Sequence, residues 1–166
     1  LRSSDLLVRP APKEKSKLIG QISRLKGHGI TDEMIKGEFS NLTQDILFRQ
    51  NNKQLYKECY QIIRAGIVDA DLANEIDYMY YYEYGRVYYN QGNYTMAKPY
   101  FKNALKFQPN NVDLTGIFVN VIGQSLRNEK NTKTILDSMV SYQTNFPSLT
   151  GNNNFNTMVA TAHVMQ

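Results

Sequence analysis

Side chains that commonly carry catalysis or bind metals are scarce in this sequence. Cys59 is its one cysteine, and His28 and His163 are its two histidines. These three residues form no cluster with the spacing of metal ligands. The sequence also has no paired carboxylates at a motif spacing and no glycine-rich phosphate loop. We therefore predict no catalytic residue, no metal site and no cofactor, and we interpret Cys59 as a small buried apolar residue.

Tyrosine is the residue type whose spacing could serve a binding function. Seven of the twelve tyrosines lie between Tyr78 and Tyr89. Exposed aromatic rings at this density can contact a partner protein or stack on nucleic-acid bases, whereas buried rings form a packing core. The elements that position these rings decide which of the roles each ring has.

Length and composition are those of one globular domain. The chain has 166 residues, of which 42% are apolar, and this is enough to bury a core. No stretch of about 18 apolar residues and no secretion signal occurs, so we expect a soluble protein of the cytoplasm or a bacterial periplasm, without direct membrane insertion. The sequence starts at Leu1 rather than at a methionine, and we interpret it as a piece of a longer or processed protein.

The net charge of +4 lies mainly in the first 40 residues. The basic stretch RPAPKEKSK, together with the tyrosines, is the evidence for nucleic-acid binding. The remainder of the chain is nearly neutral, and a solvated linker explains the basic stretch more simply. We therefore expect no nucleic-acid partner, and we interpret residues 1–12 as an extended arm.

Apolar periodicity predicts an all-α fold. Ile35, Phe39 and Leu42 recur at helical spacing after Thr31, which is a suitable N-cap. Residues 112–127 contain β-branched side chains that favour a strand locally, but their helical neighbourhood favours a helix. The predicted helices cover residues 13–27, 32–50, 55–66, 93–107, 112–127, 132–144 and 153–165, and a further helix starts at Asp69 or Asp71 and contains the tyrosines.

The tyrosine-rich helix and the helix after it share a pattern of large and small residues at fixed positions. The pattern consists of Tyr81, Tyr84, Gly85, Tyr88, Gly92, Tyr94, Ala97, Phe101, Ala104 and Pro109. With Tyr78 as its first position, this pattern resembles the tetratricopeptide repeat, a helix-turn-helix unit of about 34 residues. The resemblance covers residues 78–111 and implies that these side chains form the structural core of a repeat.

Small residues in this pattern let two helices approach closely. Gly85 and Ala97 lie where the antiparallel helices of the repeat are expected to cross. Ala104 has the same role toward the next repeat, and Pro109 ends the second helix because proline cannot continue it.

Landmark residues predict two degenerate repeats beside this one. Gly123 and Pro147 are displaced by 38 residues from Gly85 and Pro109, which predicts a repeat near 116–149. The same displacement in the other direction predicts a repeat near 40–73, in which Cys59, Ile63 and Gly66 take the positions of Ala97, Phe101 and Ala104. The predicted helical domain therefore spans residues 13–166, with helices 13–27 and 153–165 as flanking or capping helices.

The resemblance also implies a right-handed superhelix whose concave groove holds a peptide or a partner protein. The first helix of each repeat lines this groove, and spacings of three and four residues place its groove positions on one stripe, apart from the core tyrosines. The groove residues predicted in this way are Met79, Tyr82, Arg86 and Tyr89, then Ile117, Asn120, Gln124 and Arg127 in the following repeat, and Asn41, Gln44 and Phe48 in the preceding one.

We interpret the chain as a non-enzymatic scaffold that binds a protein or peptide in this groove. Tyrosine and arginine on one exposed stripe are typical of interface hot spots. One alternative is a chaperone-like or regulatory module of a larger bacterial protein, and another is a groove filled by part of the same protein. Some members of the family grip a C-terminal carboxylate with Lys, Asn and Arg, but here Tyr82 and Arg86 occupy the central positions. The sequence does not specify an oligomeric state.

Overall fold

A computed structural model describes residues 10–165. Its secondary structure is 79% helical, with eight α-helices and no strand in the described part of the chain, which confirms the predicted all-α fold. The predicted arm over residues 1–12 lies outside the described residues as far as residue 9, and Pro12 already belongs to a helix. The helices are α1 Pro12–Ser23, α2 Asp32–Leu42, α3 Lys53–Gly66, α4 Ala70–Asn90, α5 Tyr94–Phe107, α6 Val112–Ser125, α7 Thr132–Asn145 and α8 Asn153–Val164.

Side-chain caps explain where most of these helices begin. Thr31 accepts a hydrogen bond from the backbone N–H of Met34 at 3.2 Å, which confirms its predicted capping role. Residues 112–127, whose local preference was for a strand, form α6 and its C-terminal turn. Five helices, from α3 and from α5 to α8, begin after an asparagine whose side chain accepts from the N–H three residues later, namely Asn52, Asn93, Asn111, Asn131 and Asn152.

Helix α1 is shorter than predicted. It ends at Ser23, and the predicted extension to residue 27 is wrong. The hydroxyl of Ser23 donates to the Ile19 carbonyl at 2.7 Å, and the chain then turns before Gly27, whose φ of +96° is outside the helical range.

Helix α2 changes its winding after Leu42. Residues Thr43–Arg49 form a π-helix, in which the N–H of Gln50 at its C-terminal end donates to the Asp45 carbonyl at 3.0 Å. A π-helix has more residues per turn than an α-helix, so side chains at α-helical spacing no longer share one face. The prediction of one continuous α-helix over residues 32–50 is therefore wrong in its second half.

The chain divides into two compact units, and the boundary lies between Tyr80 and Tyr81 within α4. In the N-terminal unit, α1 packs against α3. Lys13 near the start of α1 pairs with Glu58, and Gly20 lies against Gly66 at the end of α3, so the two helices run in the same direction. A Cβ atom on Gly66 would lie 2.4 Å from the Gly20 carbonyl oxygen, so this crossing requires glycine.

Aromatic rings and one buried ion pair join α3 to α4 in the N-terminal unit. The Tyr60 and Tyr80 rings stack with their centroids 3.8 Å apart. Asp77 is buried, and Arg64 donates to both of its carboxylate oxygens at 3.1 and 3.2 Å, while the Tyr60 hydroxyl donates to one of them. These contacts satisfy a buried charge that would otherwise be costly.

In the C-terminal unit the crossing predicted for the repeat is present. A Cβ atom on Gly85 would lie 2.9 Å from the Phe101 ring, so the glycine lets α4 and α5 approach. Ala97, Phe101 and Ala104 are fully buried, and Gln108 caps α5 immediately before Pro109. Helix α6 packs against α5 and against α8, and α8 also packs against α7.

Candidate partner-binding face

Neither a membrane-spanning helix nor a metal cluster occurs among residues 10–165. No helix there is long and apolar enough to cross a bilayer. No three His, Cys, Asp or Glu side chains within the same range are placed to share a metal ion. Cys59 is buried, as predicted, and burial raises the pKa of its thiol, whereas His28 and His163 are exposed.

The tyrosines of α4 have different environments. Tyr84 is buried and stacks on Tyr100 with ring centroids 4.4 Å apart, and burial raises the pKa of its phenol. Tyr88 contacts the same Tyr100 ring at 5.8 Å. Tyr81 stacks on Phe107 at 5.9 Å and is half-buried. These three tyrosines therefore contact α5, the second helix of the repeat.

A second set of side chains on α4 lies over Phe101. The rings of Tyr82 and Tyr89 each lie 6.1 Å from the Phe101 ring, centroid to centroid, on either side of Arg86 in the sequence. The Arg86 guanidinium carbon is 5.8 Å from the centre of the Tyr82 ring, within the range of a cation–π contact. All three side chains are half-buried, so each presents part of its surface to solvent.

Tyr89 connects α4 to the next first helix, α6. The side-chain amide of Asn120 donates to the Tyr89 hydroxyl at 2.6 Å. Both residues are predicted groove residues, from successive repeats, and the structure brings them together. We refer to Tyr82, Arg86, Tyr89 and Asn120 as the tyrosine–arginine face.

Glu83 supports this face from within the same helix. The Arg86 guanidinium donates to its carboxylate at 3.0 Å, and the Glu83 side chain is only 18% exposed. Burial raises the pKa of Glu83 above its ordinary value of 4.5, while the attraction of Arg86 opposes this shift. The pair orients the guanidinium and leaves 39% of the Arg86 side chain exposed.

Glu83 should make the stability of the protein depend on pH. Because its pKa is raised, the folded state binds the proton more tightly than the unfolded chain, and stability falls as the pH rises from 4.5 through the raised value. In Glu83→Gln this contribution is absent. We expect the free energy of unfolding of the wild type, minus that of the variant, to decrease across this window and then level off. Urea denaturation of both proteins from about pH 4 to about pH 8 measures it, and a pH-independent difference would contradict the assignment.

Three predicted groove residues of the following repeat line a cavity of 310 Å³ between α6 and α8. Asn120, Gln124 and Arg127 come from α6 and its C-terminal turn, and α8 contributes Asn154 and Met158. The cavity is therefore continuous with the tyrosine–arginine face through Asn120. Its remaining lining residues are Gly116, Val119 and Gly123.

The other predicted groove residues lie elsewhere. Met79 is half-buried and belongs to the N-terminal unit. Asn41 and Gln44 line an open cavity of 1200 Å³ beside α1, also in that unit. Phe48 is half-buried within the π-helix and does not line this cavity, because the altered winding removes it from the face of Asn41 and Gln44.

Sequence reasoning missed four residues of this region. Tyr100 carries the stacks of Tyr84 and Tyr88, and Glu83 holds Arg86. The other two are the cavity residues Asn154 and Met158. They follow Asn120 and Gln124 by 34 residues, the length of the 78–111 pattern, so that displacement was the signal that could have found them.

Paired helices joined by tight turns define this chain as an all-α helical-repeat protein. Residues 78–111 match the family model described as tetratricopeptide repeat, over the same residues for which the resemblance was predicted. Tetratricopeptide repeats are generally non-enzymatic scaffolds that bind protein partners. No curated protein and no solved structure matches the chain.

Proposed function

We propose that this protein is an interaction module that holds a segment of a partner protein against the tyrosine–arginine face. The observation that carries the proposal is the join between successive first helices, in which Asn120 hydrogen-bonds to Tyr89. Through this contact the solvent-facing parts of α4 and α6 form one surface. We expect the chain to act as a scaffold and not as an enzyme.

The chemistry of the face suits a protein partner. Tyr82 and Tyr89 offer rigid aromatic area whose orientation is fixed by Phe101, so binding costs little side-chain entropy. Arg86 is also held in place, by Glu83 and by the Tyr82 ring, and its guanidinium can still donate to carboxylates or carbonyls. Aromatic residues and arginine held in this way are the usual hot spots of protein interfaces.

The proposal is tested with peptides selected on the intact chain from a random display library. A variant with Tyr82, Arg86 and Tyr89 all replaced by alanine should bind the selected peptides at least about 100-fold more weakly, since hot-spot residues contribute about 2 kcal/mol or more each. Fluorescence anisotropy of the labelled peptides measures the affinities. Circular dichroism confirms that both proteins are folded.

A matched control removes three side chains from another exposed surface of the same unit. Met96, Lys102 and Lys106 are exposed on α5, and their replacement by alanine should leave peptide affinity within about threefold of the wild type. Selection of no peptide, or equal affinities for the wild type and the variant of the face, would contradict the proposal.

A further inference from the structure

We propose that the cavity between α6 and α8 binds an extended peptide segment that presents an acidic side chain to Arg127. The inference rests on the proposed function, because it names the chemistry of the partner segment where the tyrosine–arginine face continues past Asn120. The residues that line the cavity lie outside residues 78–111, which match the repeat family. Its chemistry must therefore be argued from its own side chains.

Polar groups without protein partners face this cavity. The side chains of Gln124, Arg127 and Asn154 make no hydrogen bond or ion pair with any residue in the described range 10–165. The Asn120 amide nitrogen is engaged by Tyr89, which leaves the carbonyl oxygen of that side chain to accept a hydrogen bond. Side-chain amides both donate and accept, as the backbone of an extended peptide does, so they match one another.

The charge at the cavity favours an acidic ligand. Arg127 is exposed, and no aspartate or glutamate is among the described residues that line the cavity. Glu129, the acid closest to Arg127 in sequence, instead accepts a hydrogen bond from the backbone N–H of Asn131 at 2.9 Å. A carboxylate from a partner can therefore pair with Arg127 without displacing an internal ion pair.

The shape of the cavity favours an extended segment. From Gly116 to Arg127 it follows α6 and its terminal turn over about 16 Å, which about five residues of extended peptide would span. A Cβ atom on Gly116 would meet nothing within 4 Å, and one on Gly123 would meet only Met158, among the described residues. The two glycines therefore leave open the space along α6 that a peptide backbone would occupy.

The test uses two pools of synthetic hexapeptides with acetylated and amidated ends. One pool carries glutamate at a fixed position among small and apolar residues, and the matched pool carries glutamine there. Backbone NMR signals of Gly116 and Gly123 in the intact 15N-labelled chain report binding. We expect the glutamate pool to bind about tenfold more tightly than the glutamine pool, and Arg127→Gln to remove this difference.

Three further samples make the result specific. Lys133→Gln removes the same charge from an exposed site on α7 and should keep the preference for glutamate. Gly116→Leu should fill the cavity and abolish the shifts at Gly123 while the protein stays folded, since a Cβ atom there meets open space. N-acetylglutamate amide, a single acidic residue, should bind far more weakly than the hexapeptides.

Several results would overturn the inference. These are equal binding of the two pools, a preference that survives Arg127→Gln, the absence of shifts with either pool, and equal binding of the single acidic residue. Any of them, together with weaker binding of selected peptides by the variant of the tyrosine–arginine face, would refute the acidic segment and leave the proposed function intact. Unchanged binding of selected peptides by that variant would refute the proposed function itself.

Discussion

Replacing Phe101 with alanine is expected to lower the free energy of unfolding by about 3 to 5 kcal/mol, the usual cost of removing a fully buried phenylalanine. Phe101 is 0% exposed, and its ring lies where the Gly85 backbone approaches α5. The Tyr82 and Tyr89 rings rest on the same ring. The cavity left by the substitution would therefore loosen both the core of the repeat and the tyrosine–arginine face.

Phe107→Ala provides the matched control for this substitution. Phe107 is on the same helix and has the same side chain, but it is half-buried and stacks on Tyr81. Its removal should cost less than about 2 kcal/mol, because part of its surface already faces water. Urea denaturation of the three proteins gives the free energies. Equal losses in both variants would show that Phe101 has no special place in the packing.

Features that depend on neighbouring residues could be predicted from the sequence. The helices follow from local periodicity and caps, and the pattern from Tyr81 to Pro109 identifies a repeat because its spacing is set within one helix pair. The separation of Tyr84 from Tyr82 and Tyr89 follows from helix geometry in the same way. Three of the cavity residues could also be predicted, since they continue that stripe into α6.

Features that depend on distant residues could not. The displacement of 38 residues, drawn from one glycine and one proline, does not lead to Asn154 and Met158, which follow Asn120 and Gln124 by 34. Tyr80 had no predicted role, although it is buried on Tyr60 in the N-terminal unit. Nothing in local periodicity indicates which ring a given tyrosine will meet across a helix interface.

The crossing of α1 and α3 is the clearest long-range feature of this kind. The sequence places residues 1–30 outside the resemblance and gives Gly66 a role toward the following repeat. In the structure Gly66 packs instead against Gly20 of the preceding helix α1. Cys59, near Ser16, also lies on the α1 side of α3. Helix α1 therefore packs on α3 as part of the N-terminal unit, and its position depends on two glycines that are far apart in sequence.

Replacing Gly66 with alanine is therefore expected to destabilise the protein by about 1 to 3 kcal/mol or more, although alanine is the better helix former. The new Cβ atom would lie 2.4 Å from the Gly20 carbonyl oxygen, and a backbone atom cannot move aside as a flexible side chain can. Helix α1 would have to shift away from α3. The free energy of unfolding in urea measures the loss.

Two other glycines of the same unit make this prediction specific. Gly37 lies within α2, and a Cβ atom there would have no neighbour within 4 Å among the described residues, so Gly37→Ala should stabilise the protein by up to about 1 kcal/mol. Gly20→Ala should lie between the two, because its Cβ atom would be 3.3 Å from the Ile62 carbonyl oxygen. If Gly66→Ala were as stable as Gly37→Ala, α1 could not be packed on α3 at this crossing, since only the close approach of the two backbones distinguishes the two positions.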